Sequence, residues 1–337
     1  MSGSPDRVRV LHVNDAAFTA HRLLKVAARH GEPWSFYPRA VADPSWTGIS
    51  GRARFAGRGA AWVAGLARRA AGVDLLHVHS GAMLKHTRLV PKRFVLHLHG
   101  TDIRTLQYEP AWRDSVLWGV RSAAAVLYST PDLAEHVLPH RPDAVYFPVP
   151  IDLGSLPVHP DRPEPRVFFA SRWEDVKGLE AQLAIARRLV TETDAAVAVT
   201  GLDWGPGADA ARSAGVELVP RMPYDAYVRY MAESSVVVGQ SAGILSSSEL
   251  EAIGTGVPVV APLVPGYYPD APPIGGGADA WGRPDAVTDA ALVALRHPVS
   301  TSGAAWIART HDAELGYRTL ADLYPRLLDR AGARPIP

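Results

Sequence analysis

Two successive series of short β-type runs, each separated by helical patterns, constrain the fold of this 337-residue chain more than any other feature. Such alternation is typical of a parallel, doubly wound sheet, because parallel neighbours need a crossover connection. In the first half the predicted strands lie near Val8–Val13, Leu75–His79, Phe94–His99 and Ala124–Ser129, and the predicted helices near His21–His30, Arg54–Ala71 and Ala111–Val120.

The second series follows the same rhythm. Its predicted elements lie near Val167–Ser171, Leu179–Val190, Ala196–Gly201, Val216–Val219, Tyr224–Ala232, Ser235–Gly239 and Val257–Ala261. Six prolines between Pro148 and Pro165 break the pattern, as in an interdomain linker. We therefore predict two Rossmann-like domains at residues 1–150 and 166–310, joined by a linker at 151–165. A C-terminal helix, at 311–337, is expected to pack back on the first domain. Ligands of open α/β sheets bind at the carboxyl ends of the strands, so a cleft between the two edges is expected.

Composition excludes several classes of function. The chain is 47% hydrophobic and 20% charged with a formal net charge of +1, so no global field favours a nucleic-acid partner. It contains no cysteine, which excludes disulfides, thiolate metal sites and a cysteine nucleophile. We find neither a signal-peptide core nor an uninterrupted apolar run of about 18 residues. A cytoplasmic, globular protein is the expectation.

The stretch GQSAGILSSSELEAIGTGVPVVA, residues 239–261, predicts a helix that ends in glycine and leads into a buried strand. Its serine triplet, Ser246 to Ser248, provides N-cap candidates, and a helix N-terminus attracts phosphate through its N–H groups and partial positive charge. The same letters also describe an ordinary capping box, either Ser246 with Glu249 or Ser248 with Glu251. Taken alone, this stretch favours the capping box.

A second cationic loop follows the first strand of the second half, in ASRWEDVKG. Arg172 offers a bidentate fork to phosphate, and Lys177 offers a mobile point charge. The alternative is a solvated surface loop. Its position after a strand, and before Gly178 and a helix, favours a role in holding a diphosphate.

These motifs together resemble the GT-B glycosyltransferases, in particular the retaining family 4 type. SRWEDVKG and EAIGTGVPVV are similar to that family's "GR…KG" and "EA…GxPVV" motifs. VTGLDWGPG resembles its strand and glycine turn, and VELVPRMPYDAYVRYMAESSVVV resembles the two strands and helix that come next. In the first half, DLLHVHSG, FVLHLHGTD and STPDL are similar to the corresponding pieces. The resemblance covers nearly the whole chain and is more specific in the second half.

The resemblance implies a GT-B fold whose first domain serves the acceptor and whose second domain binds a nucleotide-sugar donor. It implies that Arg172 and Lys177 hold the donor's diphosphate and that Glu251 binds the ribose hydroxyls. Backbone around Met222 and Pro223 would contact the nucleobase. His99 of HLHG matches the family's active-site histidine, and Asp15 is a further candidate for positioning the reactants.

Two departures from the family pattern stand out. Gly243 occupies the position of the family's first glutamate, eight residues before Glu251. The glycine pair after the first strand is replaced by NDAA, residues 14–17, which lacks glycine's conformational freedom. Gln240, Ser246 or Ser247 is expected to supply the polar contact to the donor that Gly243 lacks.

Four histidines form two His-x-His pairs, His77/His79 and His97/His99, each on one face of a strand. With Asp102 nearby they suggest a zinc site, but no carboxylate cluster completes the coordination, and satisfied strand-end histidines are the favoured interpretation. No DxD motif lies between apolar runs, so no metal cofactor is expected.

A further stretch, residues 51–72, carries five arginines among apolar residues. It is interpreted as a helix packed on the sheet with a solvated arginine face. Weak peripheral membrane contact is the alternative.

The sequence therefore predicts a retaining, metal-independent glycosyltransferase that moves a sugar from a nucleotide-diphosphate sugar to a hydroxyl-type acceptor, which is a small molecule, a glycan or a lipid-linked compound. Fixed positive charge would stabilise the departing diphosphate. The alternatives are a sugar-nucleotide epimerase or hydrolase on the same fold, and a binding protein that keeps nucleotide affinity without catalysis.

Overall fold

The computed structural model describes residues 7–40, 45–297 and 302–329. The chain divides into two compact units. Unit 1 comprises Met1–Pro150 with Ala313–Pro337, and unit 2 comprises Ile151–Asp312. Each unit contains one six-stranded sheet, and all the strand pairs are parallel. The predicted doubly wound architecture is confirmed.

Unit 1 has the strand order β2-β1-β3-β4-β5-β6. Its elements are β1 (Val10–Val13), α1 (Thr19–Arg29), β2 (Trp34–Tyr37), α2 (Gly48–Ala70), β3 (Leu75–His79), α3 (Leu84–Thr87), β4 (Phe94–Leu98), α4 (Thr101–Arg104), α5 (Pro110–Ser122), β5 (Ala125–Tyr128), α6 (Ala134–Val137) and β6 (Val145–Tyr146).

Unit 2 has the strand order β12-β11-β10-β7-β8-β9. Its elements are β7 (Glu164–Phe169), α7 (Leu179–Glu192), β8 (Ala198–Leu202), α8 (Ala208–Ser213), β9 (Glu217–Val219), α9 (Tyr224–Ala232), β10 (Ser234–Val238), α10 (Ser247–Thr255), β11 (Val259–Pro262), β12 (Gly275–Gly277), α11 (Pro284–Arg296) and α12 (Gly303–Thr310).

The last helix, α13 (Ala313–Asp329), belongs to unit 1. Leu320, Tyr324 and Leu327 are buried there against Val10 and Phe147, so the helix covers one face of the sheet. The predicted helix extended to residue 337, but residues 330–337 lie outside the described part of the chain. The predicted linker, residues 151–165, falls within unit 2, and the N–H of its first residue donates to the His311 carbonyl at 2.7 Å.

The sequence patterns did not predict three strands: β2, β6 and β12. β6 has only two residues, and β12 is the triplet GGG, which has no side-chain signal and pairs with β11 through its backbone. They lie at the edges of the sheets. The hydrophobic runs predict the central strands, because strands buried on both faces are rich in apolar residues.

Helix α2 covers the arginine-rich stretch. Gly51, Trp62, Leu66 and Ala70 are buried, and the arginines at 52, 54, 58, 68 and 69 are exposed. The predicted packing on unit 1 with a solvated face is therefore present. Among the residues described, no helix combines the length and apolar character needed to span a bilayer.

Candidate functional site

In unit 2, the loops after β7 and β10 meet at the carboxyl edge of the sheet, because the two strands are hydrogen-bonded neighbours. The N–H of Ser241 donates to the Lys177 carbonyl at 2.9 Å. Gly178 has φ +76°, and a Cβ there would lie 2.8 Å from the Cβ of Ser241, so only glycine fits without displacement. The cationic loop is thereby fixed beside the segment that leads into α10.

Arg172 lies close to the β7 end of that loop, and its side chain is 37% exposed. Its Nε is 2.6 Å from a Glu174 carboxylate oxygen, and its guanidinium lies 5.4 Å from the ring centre of Trp204. Arg221 approaches the same indole at 4.5 Å. Two guanidinium groups therefore flank one indole beyond the ends of β7, β8 and β9, where they can contact an anion.

The buried Trp173 holds this loop against the interior of unit 2. It is fully buried, its Nε1–H donates to the Leu202 carbonyl at 3.0 Å, and its carbonyl accepts from Gly207 N–H at 2.9 Å. The loop that carries Arg172 is thus tied to the turn after β8, which limits how far the guanidinium can move.

The start of α10 contains a capping box, as the sequence predicts. Ser246 is the N-cap and Glu249 is the reciprocal partner, with the Ser246 N–H 2.8 Å from Glu249 Oε2. Glu249 is fully buried, and its Oε1 also accepts from the Gln240 N–H at 2.8 Å. One carboxylate therefore joins the loop after β10 to the helix start. Ser247 is the first residue of α10, where partial positive charge favours an anion.

Glu251, the residue assigned to the ribose, lies one turn into α10 and is 3% exposed. Its Oε1 accepts a hydrogen bond of 2.6 Å from the hydroxyl of Tyr224 at the start of α9. Met222 is half-buried and Pro223 is exposed immediately before that helix. Unit 2 thus brings Met222, Pro223 and Glu251 to neighbouring elements.

Gln240 is fully buried, and neither atom of its side-chain amide has a hydrogen-bond partner among the described residues. A buried amide without partners costs free energy and requires an explanation. Gln240 is the second residue after β10 and precedes the Ser241 that contacts Lys177. A polar ligand group at this edge could satisfy it.

Gly243 differs from the family's glutamate for a structural reason. Its φ is +79°, and a Cβ would lie 2.5 Å from Cζ3 of Trp281 and 2.6 Å from Cγ2 of Val264. The Trp281 side chain, which is 42% exposed, therefore covers the position where a glutamate side chain would begin.

In unit 1, five histidines project from neighbouring strands and the residue after β4. We call His12, His77, His79, His97 and His99 the histidine ladder. The strand register aligns His12 with His77 and His79 with His97, so their side chains share one face of the sheet. All are fully buried except His99, which is half-buried.

The ladder forms a continuous hydrogen-bonded chain. The ring-nitrogen contacts are His12 Nδ1 to His79 Nε2 at 3.0 Å, His79 Nδ1 to His99 Nε2 at 3.2 Å, and His77 Nε2 to His97 Nδ1 at 3.3 Å. Tyr324 of α13 contacts His77 Nδ1 at 2.6 Å, and Ser129 Oγ contacts His97 Nε2 and His99 Nδ1 at 3.1 and 3.0 Å.

One set of tautomers, in which Ser129 donates to backbone, is consistent with every contact in this chain. Ser129 donates its hydroxyl proton to the Leu98 carbonyl at 2.9 Å, so its oxygen accepts from His97 Nε2–H and His99 Nδ1–H. His77 Nε2–H then donates to His97 Nδ1, and the Tyr324 hydroxyl donates to His77 Nδ1. Likewise, His79 Nδ1–H donates to His99 Nε2, and His12 Nδ1–H donates to His79 Nε2. In this set all five imidazoles are neutral, and His12 Nε2 is the one ladder nitrogen without a partner among the described residues.

Burial reinforces this neutrality, since it penalises the charged imidazolium. It lowers the pKa of His12 to about 3 and that of His99 to about 4, and it holds the pKa of His77, His79 and His97 well below 6.5. The carboxylates of Asp102 and Asp15 oppose the lowering at His99. Both ring nitrogens of His99 are engaged, so a substrate contact through either would have to replace one of these bonds.

Two triplets of ladder histidines place a ligand nitrogen of each member within 4.8 Å of the others. The hydrogen bonds above account for this proximity. Asp102 does not contribute, because its carboxylate accepts from the backbone N–H groups of Gly81, His99, Gly100 and Ile103 at 2.9–3.1 Å. That no metal takes part in the reaction stays a prediction.

The carboxyl edge of unit 1 also holds backbone strain. Within the described residues, the non-glycine residues with positive φ are Asn14, Ala17, Phe18 and Ser80, all after β1 or β3. The segment that replaces the family's glycines thus adopts left-handed conformations without them. Asn14 Nδ2 donates to the His79 carbonyl at 2.7 Å, and Asp15 Oδ1 accepts from the Ala20 N–H at 2.8 Å. Strain retained in this way concentrates at functional sites.

Several residues of these edges were not found from the sequence: Trp204, Arg221, Tyr224, Trp281, Ser129 and Tyr324. Two of them carried a signal, because Trp204 precedes a glycine turn and Tyr224 follows Pro223 directly. The others come together only through tertiary packing.

No protein-family model matches the sequence, and no curated protein sequence matches it. Solved structures do match. A sucrose-phosphate synthase from Thermosynechococcus elongatus has a TM-score of 0.69 at 15% identity, over 96% of this chain and 100% of that one. Anabaena HepE in complex with UDP and glucose has a TM-score of 0.67 at 14% identity, over 94% and 98%.

A third match is a putative UDP-N-acetylglucosamine 2-epimerase from Listeria monocytogenes, with a TM-score of 0.61 at 15% identity over 94% of this chain and 95% of that chain. Likeness at such identity establishes the fold alone. The fold is GT-B, that of the matched glycosyltransferases, and the two six-stranded parallel sheets are its units.

Proposed function

We propose that this protein is a retaining, metal-independent glycosyltransferase that transfers a sugar from a nucleoside-diphosphate sugar to a hydroxyl-bearing acceptor. The observation that carries the proposal is the edge of unit 2, where the Lys177 loop is bonded to the segment leading into α10. Arg172, Lys177 and the helix start provide positive charge, and Gln240 provides a buried amide without a protein partner. A diphosphate suits this combination.

Bond cleavage at the anomeric carbon leaves negative charge on the diphosphate, and preorganised donors stabilise it more in the transition state than in the ground state. Arg172 and Lys177 are assigned that role. Glu251, oriented by Tyr224, is assigned to the ribose, and Met222 and Pro223 to the base. In unit 1, His99 and Asp15 are assigned to positioning the acceptor or the sugar. HepE was solved with UDP and glucose, which supports a uridine nucleotide as the first donor to test.

Alanine substitution tests the assignment. With a UDP-sugar donor and a mixture of hydroxyl acceptors, Arg172→Ala and Lys177→Ala should each lower the transfer rate by about 10²–10³-fold, the usual loss for one transition-state donor. Arg187→Ala, on the exposed face of α7, is the matched control. Near-normal turnover in both site variants would reject the proposal. The anomeric configuration of the product, measured by NMR, tests retention.

An epimerase is the second candidate, favoured by the Listeria match. The two activities differ without an acceptor, because an epimerase still converts the sugar nucleotide to its C2 epimer and a transferase does not. Nucleotide binding with neither product would indicate a binding protein.

A further inference from the structure

Unit 1 contains a cavity of about 190 Å³ at the carboxyl edge of its sheet. Arg39 lies just after β2, Met83 and His86 lie after β3, and Phe55, Arg58 and Trp62 of α2 form the opposite wall. Open α/β sheets bind ligands at this edge. The segment with positive φ at Asn14, Ala17 and Phe18 follows the adjacent strand β1.

The lining combines two kinds of group. Phe55, Trp62 and Met83 are apolar, and Arg39, Arg58 and His86 are the basic residues of the lining. The Arg58 guanidinium lies 5.5 Å from the ring centre of Trp46. No carboxylate belongs to the lining within the described residues. The Trp62 Nε1–H donates to the Pro38 carbonyl at 2.7 Å, which fixes the indole as a wall. A ligand matched to this lining has an apolar body and a negative charge.

The volume limits the body to one ring. An engineered apolar cavity of about 150 Å³ holds benzene, and whole drug-sized ligands need about 300–1,000 Å³. A cavity of about 190 Å³ therefore admits one six-membered ring with a small anionic substituent.

We propose that this cavity binds the ring of a small aromatic acid and that such a hydroxylated acid is the glycosyl acceptor. The binding of such an acid is inferred from the lining and the volume of the cavity alone. Its role as acceptor site rests on the proposed function.

Two glycines of α2 provide a matched pair for the test. A Cβ on Gly59, which lines the cavity, would lie 3.7 Å from His86 Nε2, whereas a Cβ on Gly57 would meet nothing within 4 Å. Leucine favours a helix over glycine by several tenths of a kcal/mol or more, so both Gly59→Leu and Gly57→Leu should fold. Only the first fills the cavity.

Calorimetric titration of the full chain uses 4-hydroxybenzoate and its neutral amide, 4-hydroxybenzamide. The wild type should bind the carboxylate at least about tenfold more tightly than the amide, since a charge-assisted hydrogen bond contributes about 1.5–3 kcal/mol. Gly59→Leu should abolish binding and Gly57→Leu should retain it. Arg39→Gln with Arg58→Gln should remove the preference for the carboxylate, whereas Arg54→Gln on the same helix should not.

Three results would overturn the proposal: no saturable binding, equal affinity for acid and amide, or equal loss in the two leucine variants. Sedimentation with phosphatidylglycerol vesicles forms a further arm. Vesicle binding that falls equally in Arg54→Gln and Arg58→Gln, without binding of the acid, would assign this surface to a membrane instead.

Titration with UDP separates failure of this inference from failure of the proposed function. UDP affinity that persists in Gly59→Leu, while the wild type does not bind the acid, would reject the cavity assignment alone. Absence of UDP binding in the wild type would reject the proposed function and leave the result for the acid standing.

Discussion

The two sheets of this protein have the same architecture and present different chemistry at their carboxyl edges. In unit 2 the edge carries Arg172, Lys177 and the start of a capped helix. In unit 1 the corresponding edge carries five neutral histidines locked in one hydrogen-bonded chain and loops with left-handed backbone.

In the proposed function, the two edges serve two different tasks. A diphosphate needs fixed charge, which arginine, lysine and a helix start provide without reorganisation. The edge of unit 1 places neutral, hydrogen-bonded imidazoles beneath the loops, with the carboxylates of Asp15 and Asp102 near His99. Arg39 and Arg58 line the surface cavity there.

The largest expected effect concerns pH. The ladder histidines are neutral when folded, with pKa values far below the 6.5 of the unfolded chain. The unfolded state therefore binds more protons below pH 6.5, and stability is complete above that pH and falls as the pH drops toward the folded pKa values. Each histidine changes the free energy of unfolding by up to about 1.4 kcal/mol per pH unit. Five histidines together change it by up to about 7 kcal/mol per pH unit, which is comparable with the whole stability of a typical domain, ~5–15 kcal/mol.

Hydrogen exchange at pH 7 and pH 5 checks this prediction. Peptides from β1, β3 and β4 should lose protection before those from β7 and β10. His12→Phe should reduce the slope of stability against pH, and His297→Gln, at an exposed histidine, should leave it unchanged. Loss of protection in unit 2 first would contradict the assignment of neutral histidines.

The next effect concerns Gly243. Gly243→Glu should destabilise the protein by about 2–6 kcal/mol, from backbone strain of about 1–3 kcal/mol and an overlap with Trp281 and Val264 of similar cost. It should not improve sugar binding. Gly282 has φ +70° and open space around it, so Gly282→Ala isolates the strain. Thermal unfolding should show a clearly larger loss for Gly243→Ala than for Gly282→Ala, and equal losses would disprove the overlap.

An effect of similar size is expected at the centre of the ladder. Ser129→Ala removes the shared acceptor of His97 and His99 and leaves two N–H groups unpaired, at about 1–3 kcal/mol each. Ser115→Ala is the control, because that buried serine makes one bond, to the Trp112 carbonyl. Denaturant unfolding measures the difference. ¹⁵N NMR should show the His99 Nδ1–H tautomer in the wild type, and the opposite tautomer would refute the assigned direction.

The smallest effect concerns Tyr224. Tyr224→Phe removes the hydroxyl that donates to Glu251 and should weaken UDP binding by about 0.5–1.5 kcal/mol, up to roughly tenfold. Thymidine diphosphate lacks the ribose 2′-hydroxyl and should lose less affinity in this variant. An equal loss for both nucleotides would separate Tyr224 and Glu251 from ribose recognition.

Much of the fold could be predicted because the central strands contain short apolar runs, as in the three valines that end β10. The capping box of α10 was also predictable, since it depends on residues three apart in sequence. The strand of three glycines was not, because its pairing is entirely through the backbone.

The sequence predicts the site less well where its contacts join residues far apart in the chain. The two His-x-His pairs were visible, but their connection through His12, Ser129 and Tyr324 joins residues up to 247 positions apart. Similarly, the absence of a glutamate at Gly243 was visible from sequence, and its cause, the ring of Trp281, was not.

Calorimetric titration with UDP tests whether the edge of unit 2 binds a nucleoside diphosphate through fixed positive charge. We predict saturable binding to the wild type and to Arg187→Ala. In the double variant Arg172→Ala and Lys177→Ala, affinity should fall by about 100-fold or more, because two charge-assisted bonds are lost. Equal affinity in the double variant, or no binding to the wild type, would contradict the account.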